Sequence, residues 1–95
     1  MADPMAAPRV IIEFCPGCRW QARAAWMAQE LFSSLGEALA EVALRPAAAG
    51  VFRIWLDDEL LADRKRDGGF PELAPIKRAV RDRVSPDQGL GHTDR

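Results

Sequence analysis

The stretch "IIEFCPGCRW", residues 11–20, holds both cysteines of the chain. Ile11, Ile12 and Phe14 form a short apolar run with no breaker, and Cys15-Pro16-Gly17-Cys18 ends it. A β-branched run closed by Pro and Gly predicts a buried strand over 9–14. Pro16 cannot extend a ladder but suits the first turn of a helix. Beyond it, Trp20, Ala24, Met27, Leu31 and Leu35 fall on one helical stripe. The spacing predicts a helix over 18–35, stopped by Gly36.

Outward from this unit, residues 38–45 alternate. Ala38, Ala40, Val42 and Leu44 share one face, and Glu41 and Arg45 the other. Residues 46–50 make a connection. Residues 51–56 read as a third strand, with Phe52, Ile54 and Leu56 to one side and Trp55 to the other. Asp57-Asp58-Glu59 is a polar turn, and 60–65 pairs back as a hairpin strand. Asp67-Gly68-Gly69 breaks the chain. A second helix over 71–84 carries Leu73, Ile76, Val80 and Val84 on one stripe and ends at Ser85-Pro86. Residues 1–8 and 87–95 read as loose ends.

The resulting order, β-α-β-β-β-α, defines an α/β domain: a four-stranded mixed sheet with two helices on one face. This is the order of a minimal thioredoxin-like two-layer sandwich. All 95 residues form one domain. Hydrophobic residues make up 48% and charged residues 28%, as in an ordinary globular chain. The formal charge of −1, from 13 basic and 14 acidic residues, argues against a nucleic-acid binder. No apolar stretch reaches the length of a membrane span, and the first residues lack a signal-peptide pattern. The chain reads as cytoplasmic, a reducing setting in which paired cysteines serve chemistry or metals more often than stability.

The position of the CxxC suggests which. With Cys15 at the N-cap, the unpaired N–H groups and positive end of the helix favour thiolate over thiol. Residues three apart on a helix have Cβ atoms roughly 5–6 Å apart, close to disulfide range. Loop entropy for so small a ring stabilises by about 2 kcal/mol, against about 4.7 kcal/mol for a hundred-residue loop. The pair therefore suits redox chemistry better than stapling. By this geometry Cys15 is the more exposed, attacking thiol and Cys18 resolves the mixed disulfide. Two other readings stand beside it: inert packing, and a metal site. Structural zinc needs four ligands, and the chain offers Cys15, Cys18 and His92, unless two copies pool their pairs. No phosphate loop follows the first strand.

Four stretches carry a resemblance: "EFCPGCRWQARAAWMAQEL" from Glu13, "GVFRIW" at 50–55, "RKRDGGFPE" at 64–72 and "GHTD" at 91–94. In order and spacing the chain resembles the selenoprotein W family over about residues 9–94, as a cysteine-containing bacterial member. The resemblance implies a thioredoxin-like fold and a thiol redox role, linked to glutathione or to protein thiols, with glutathione as a reductant and no bound cofactor. It places the selenium of selenocysteine-containing relatives at Cys18, which argues for the second sulfur as the attacker. An aromatic expected before Arg64-Lys65 is replaced by Leu61-Ala62.

The sequence thus reads as a thiol-disulfide oxidoreductase working through Cys15 and Cys18. The alternative is a redox-sensing interaction module without turnover. Arg64, Lys65 and Arg66, followed by Asp67-Gly68-Gly69-Phe70, could flank the thiols and hold an anion such as glutathione, though a solvated hairpin end is the favoured reading. The sheet face away from the helices is expected to carry Ile11, Leu39, Val51 and Trp55, an apolar band suited to a homodimer. Metal, nucleic-acid and membrane roles are not expected.

Overall fold

The computed structural model describes residues 8–91. The elements are β1 (Arg9–Phe14), α1 (Gln21–Leu35), a 3₁₀ turn (Gly36–Ala38), β2 (Glu41–Pro46), β3 (Phe52–Leu56), β4 (Glu59–Asp63), α2 (Arg64–Asp67) and α3 (Leu73–Val84). The sheet order is β2-β1-β3-β4. β1 pairs in parallel with β2 and antiparallel with β3, and β3 and β4 form the antiparallel hairpin.

The two periodicities of the sequence meet in one core. Val10, Ile12 and Phe14 of β1 and Phe52, Ile54 and Leu56 of β3 alternate onto the same face. There they meet Ala24, Met27, Leu31 and Leu35 of α1 and Ile76 and Val80 of α3. Both long helices therefore cover one face, as the order of elements predicts. A half-buried ion pair links them: Lys77 Nζ donates to Glu30 Oε1 at 3.2 Å, with Lys77 only 8% exposed.

Several boundaries differ from the sequence reading. The second strand starts at Glu41, because the 3₁₀ turn at Gly36–Ala38 uses the residues before it. Leu39 consequently turns inward and joins the core. The hairpin strand ends at Asp63, whose carboxylate accepts the Lys65 N–H at 3.1 Å and caps the four-residue helix α2. Gly68, in the left-handed region at φ 78°, ends that helix. The chain after α3 is held rather than frayed as far as Gly91. Gln88 Nε2 donates to the Ser34 carbonyl at 2.7 Å, and Leu90 packs against the core. His92 lies outside the described residues.

The open sheet face is not the expected apolar band. Ile11 and Trp55 do oppose each other there. Leu39 has left for the core, and Val51 lies before β3 rather than in it. Beside the Ile11–Trp55 pair, two residues along β1, stands a charged group. Trp55 Nε1 donates to Glu13 Oε1 at 2.6 Å, Arg53 Nε lies 3.0 Å from the same oxygen, and Arg45 Nη1 lies 3.7 Å from Oε2.

At the far end of the sheet, Arg83 of α3 grips Glu59 through Nε and Nη2, at 2.8 and 2.7 Å. These bonds hold the Glu59 carboxyl below the usual carboxylate range. The stabilisation they provide is complete above the ordinary value and is lost as the pH falls through the lowered one. Arg83→Gln should therefore reduce stability near neutrality and lose its effect in acid, as read from urea midpoints against pH. Removing the other pair acts differently. Glu30→Ala strands the Lys77 ammonium and should cost about 1–3 kcal/mol in urea melts, most of it recovered by the double variant Glu30→Ala/Lys77→Met.

Candidate redox site

Cys15 is the first residue beyond β1, and its N–H donates to the Val51 carbonyl at 2.8 Å. That bond continues the β1–β3 pairing by one rung, so the cysteine is held as firmly as a strand residue. Cys15 is buried, at 4% exposure. The chain then turns through Pro16-Gly17-Cys18-Arg19 and enters α1 only at Gln21. The Arg19 N–H donates to the Pro16 carbonyl at 3.0 Å, and Arg19 sits in the left-handed region at φ 63°. A left-handed residue cannot continue a right-handed helix, so the turn and the helix are separate.

This corrects the sequence reading in two respects. The thiols do not occupy the first helical turn, so Cys15 is not an N-cap. Trp20 holds that position, without a side-chain cap. The Pro-Gly pair signals a turn in its own right. The order of exposure is also reversed: Cys15 is buried and Cys18 is half-buried. The strand rung that fixes Cys15 draws it inward, and the turn carries Cys18 outward.

The two sulfurs are joined as a disulfide, with the Cα atoms 5.3 Å apart. The Cys18 N–H also donates to Cys15 Sγ at 3.1 Å. Such a bond favours negative charge on Cys15 sulfur once the disulfide opens.

Beside the turn stands an aromatic wall. Trp20 meets Phe52 edge-on at 6.4 Å and Phe70 at 4.9 Å, and Phe52 meets Phe70 at 5.4 Å. Phe52 is the register partner of Phe14, next to Cys15, which ties the wall to the site. Two guanidiniums lie on it. Arg23 is 3.9 Å from the Phe70 ring centre, and Arg64 is 4.9 Å from Trp20 and 5.1 Å from Phe70. Arg64 is thus part of the wall, not of a solvated hairpin end. Arg66 instead turns to Asp67, Nε to Oδ1 at 2.6 Å, which lowers the Asp67 pKa. The sequence places Phe70 near the thiols but does not announce its packing on Trp20, nor the part of Arg23. The available signal was the i, i+3 spacing of Trp20 and Arg23 directly after Cys18.

Among the described residues no three His, Cys, Asp or Glu side chains gather as a metal set. No helix among them is long and apolar enough to cross a membrane.

A CxxC at the end of the first strand, ahead of the first helix of a mixed four-stranded sheet, places the chain among thioredoxin-like proteins. Residues 9–82 match the Rdx family, and the chain belongs to it. No curated protein matches. Among solved structures, a protein from Bordetella parapertussis is 53% identical, with a TM-score of 0.78, covering 81% of this chain and 98% of that one. A selenoprotein W-related protein from Vibrio cholerae is 37% identical, with a TM-score of 0.79, covering 82% of this chain and 98% of that one. These findings support a bacterial selenoprotein W-like member, as the sequence motifs suggest.

Exposure sets the expected order of reaction. In the reduced protein under native conditions, iodoacetamide should modify Cys18 at least about tenfold faster than Cys15, because the buried thiol must wait for local opening. Peptide mass spectrometry over a time course reads the ratio directly.

Proposed function

We propose that the protein is a thiol-disulfide oxidoreductase in which Cys18 attacks and Cys15 resolves, exchanging with glutathione or protein thiols. What supports the reading most is the Cys15–Cys18 bond, with its outer sulfur on a turn and its inner sulfur on a strand rung. In the reducing direction, the Cys18 thiolate attacks one sulfur of a substrate disulfide and releases the other as a thiol. Cys15 then attacks Cys18 Sγ and releases the second substrate thiol. Two electrons pass to the substrate, and the protein is left with its disulfide. The Cys18 N–H that faces Cys15 Sγ favours the resolving thiolate. The resemblance to selenoprotein W agrees with this order, since it puts the selenium position at Cys18.

Arg23 and Arg64 give the site its preference for anions. Neither forms an ion pair among the described residues, and both are braced on rings next to the turn. The carboxylates of glutathione, or acidic residues flanking a protein disulfide, suit such a pair.

The test treats Cys15→Ser and Cys18→Ser separately with oxidised glutathione. Cys15→Ser should accumulate a stable adduct on Cys18, and Cys18→Ser should react slowly. Arg64→Ala in the Cys15→Ser background should slow adduct formation about 3- to 10-fold, the worth of one partly exposed charge contact. No adduct on either variant would remove the oxidoreductase reading. Stoichiometric oxidation of the wild type without turnover of a disulfide substrate would leave the redox-sensing interaction module in its place.

A further inference from the structure

Among the described residues, two of the three large apolar side chains left exposed, Phe32 and Leu44, meet at one edge of the sheet. Trp26 is 53% exposed, Phe32 49% and Leu44 39%. Phe32 and Leu44 line a groove of about 510 Å³ between α1 and β2, together with Ala25, Ala28 and Val42. Trp26, on the same helix, does not line it.

The strand beneath the groove is an uncovered edge. β2 is the last strand on its side of the sheet, and its six residues run in unbroken register with β1. Among the described residues, its outer N–H and C=O groups have no strand partner. Natural edges are shielded by bulges, breaks or covering elements. The opposite edge has such shielding: a bulge interrupts β3–β4 pairing between Ile54 and Trp55, and α2 follows β4 at once. β2 has no bulge and no covering element; it carries Pro46 at its last position and the charged Glu41 and Arg45.

The sequence of β2 also points to its partner. Glu41-Val42-Ala43-Leu44-Arg45 is self-complementary about Ala43. When two copies pair antiparallel with Ala43 opposite Ala43, Glu41 of each copy faces Arg45 of the other. Val42 faces Leu44 on the side that carries α1, so the two grooves close on each other. A two-fold axis through Ala43 gives one isologous contact, with every residue contact made twice. A one-residue slip would move the charges to the helix side and the apolar pair outward.

We propose that two copies of this chain associate through β2, forming an eight-stranded sheet with α1 of each copy side by side over the seam. The seam combines backbone hydrogen bonds, two Glu41–Arg45 pairs and the apolar surface of Phe32, Val42 and Leu44. It leaves the Cys15–Cys18 turn uncovered, and it does not depend on the redox assignment.

Sedimentation of the full chain at concentrations up to about 1 mM tests this. The wild type should sediment as a dimer. Phe32→Ser and Leu44→Lys should each weaken association at least about tenfold while keeping the far-ultraviolet circular dichroism of the wild type. Glu41→Arg sets like charges opposite Arg45 and should do the same. Within its own chain Glu41 lies 3.2 Å from Arg9 and Arg45 lies 3.7 Å from Glu13. In an Arg9→Gln/Glu13→Gln background, which removes those partners, the double variant Glu41→Arg/Arg45→Glu restores opposite charges across the seam and should recover dimerisation, an outcome that a general loss of stability does not produce. Trp55→Ala, on the open face, should leave association unchanged. A wild type that stays monomeric at every concentration would overturn the proposal, as would a dimer that persists in Glu41→Arg and Leu44→Lys or dissociates in Trp55→Ala.

Discussion

Burial of β1 between two strands and beneath two helices is the constraint from which the rest follows. Its inward residues, Val10, Ile12 and Phe14, lose nearly all contact with water. Its two edges are taken by β2 and β3. A strand so enclosed has one register, because a slip of a single residue would turn Glu13 into the core and Ile12 out of it. The same register carries the Cys15 N–H to the Val51 carbonyl. The inner sulfur is therefore placed by the hydrophobic effect acting on residues that take no part in its chemistry.

The site grows outward from that fixed point. Cys15 belongs to the sheet, Cys18 to a turn, and Trp20 to the start of α1. Phe52 and Phe70 back this line, and Arg23 and Arg64 lie across the rings. Rings hold a guanidinium while leaving its N–H edges free to bind. A carboxylate partner would hold the same side chain but use those donors up. The division between Arg64 on rings and Arg66 on Asp67 therefore separates a charge open to a ligand from one spent on structure.

The sequence made the layout legible where a period could be counted. The stripe from Trp20 to Leu35, the alternation in 51–56 and the stripe in α3 place the core almost residue by residue. Legibility failed where one or two backbone angles decide. Arg19 in the left-handed region ends the CPGC turn before α1 begins, and no side-chain pattern announces it. The 3₁₀ turn at Gly36–Ala38 moves Leu39 from an expected surface into the core. Asp63 makes a helix of Arg64–Asp67, where basic residues before two glycines suggest only a hairpin end. The pairing of two cysteines was readable from spacing. Their order of exposure was not, because it follows from the Val51 rung, a contact across 36 positions (51 − 15).

The bulge between Ile54 and Trp55 has a consequence remote from where it lies. Trp55 pairs with Leu60 and Ile54 with Ala62, so Leu61 is an extra residue in the ladder. An extra residue advances the phase of everything after it, and here what comes after is Asp63 and then α2. With Leu61 counted in, Asp63 lies opposite Arg53 and caps α2, and Arg64 arrives over Trp20 and Phe70. Shortening β4 by one residue would rotate that arrival by half a pleat and turn the guanidinium away from the rings. A leucine with no chemistry of its own thus works as a timing element, setting the angle at which the Arg64 guanidinium reaches the rings of Trp20 and Phe70 from the other end of the hairpin.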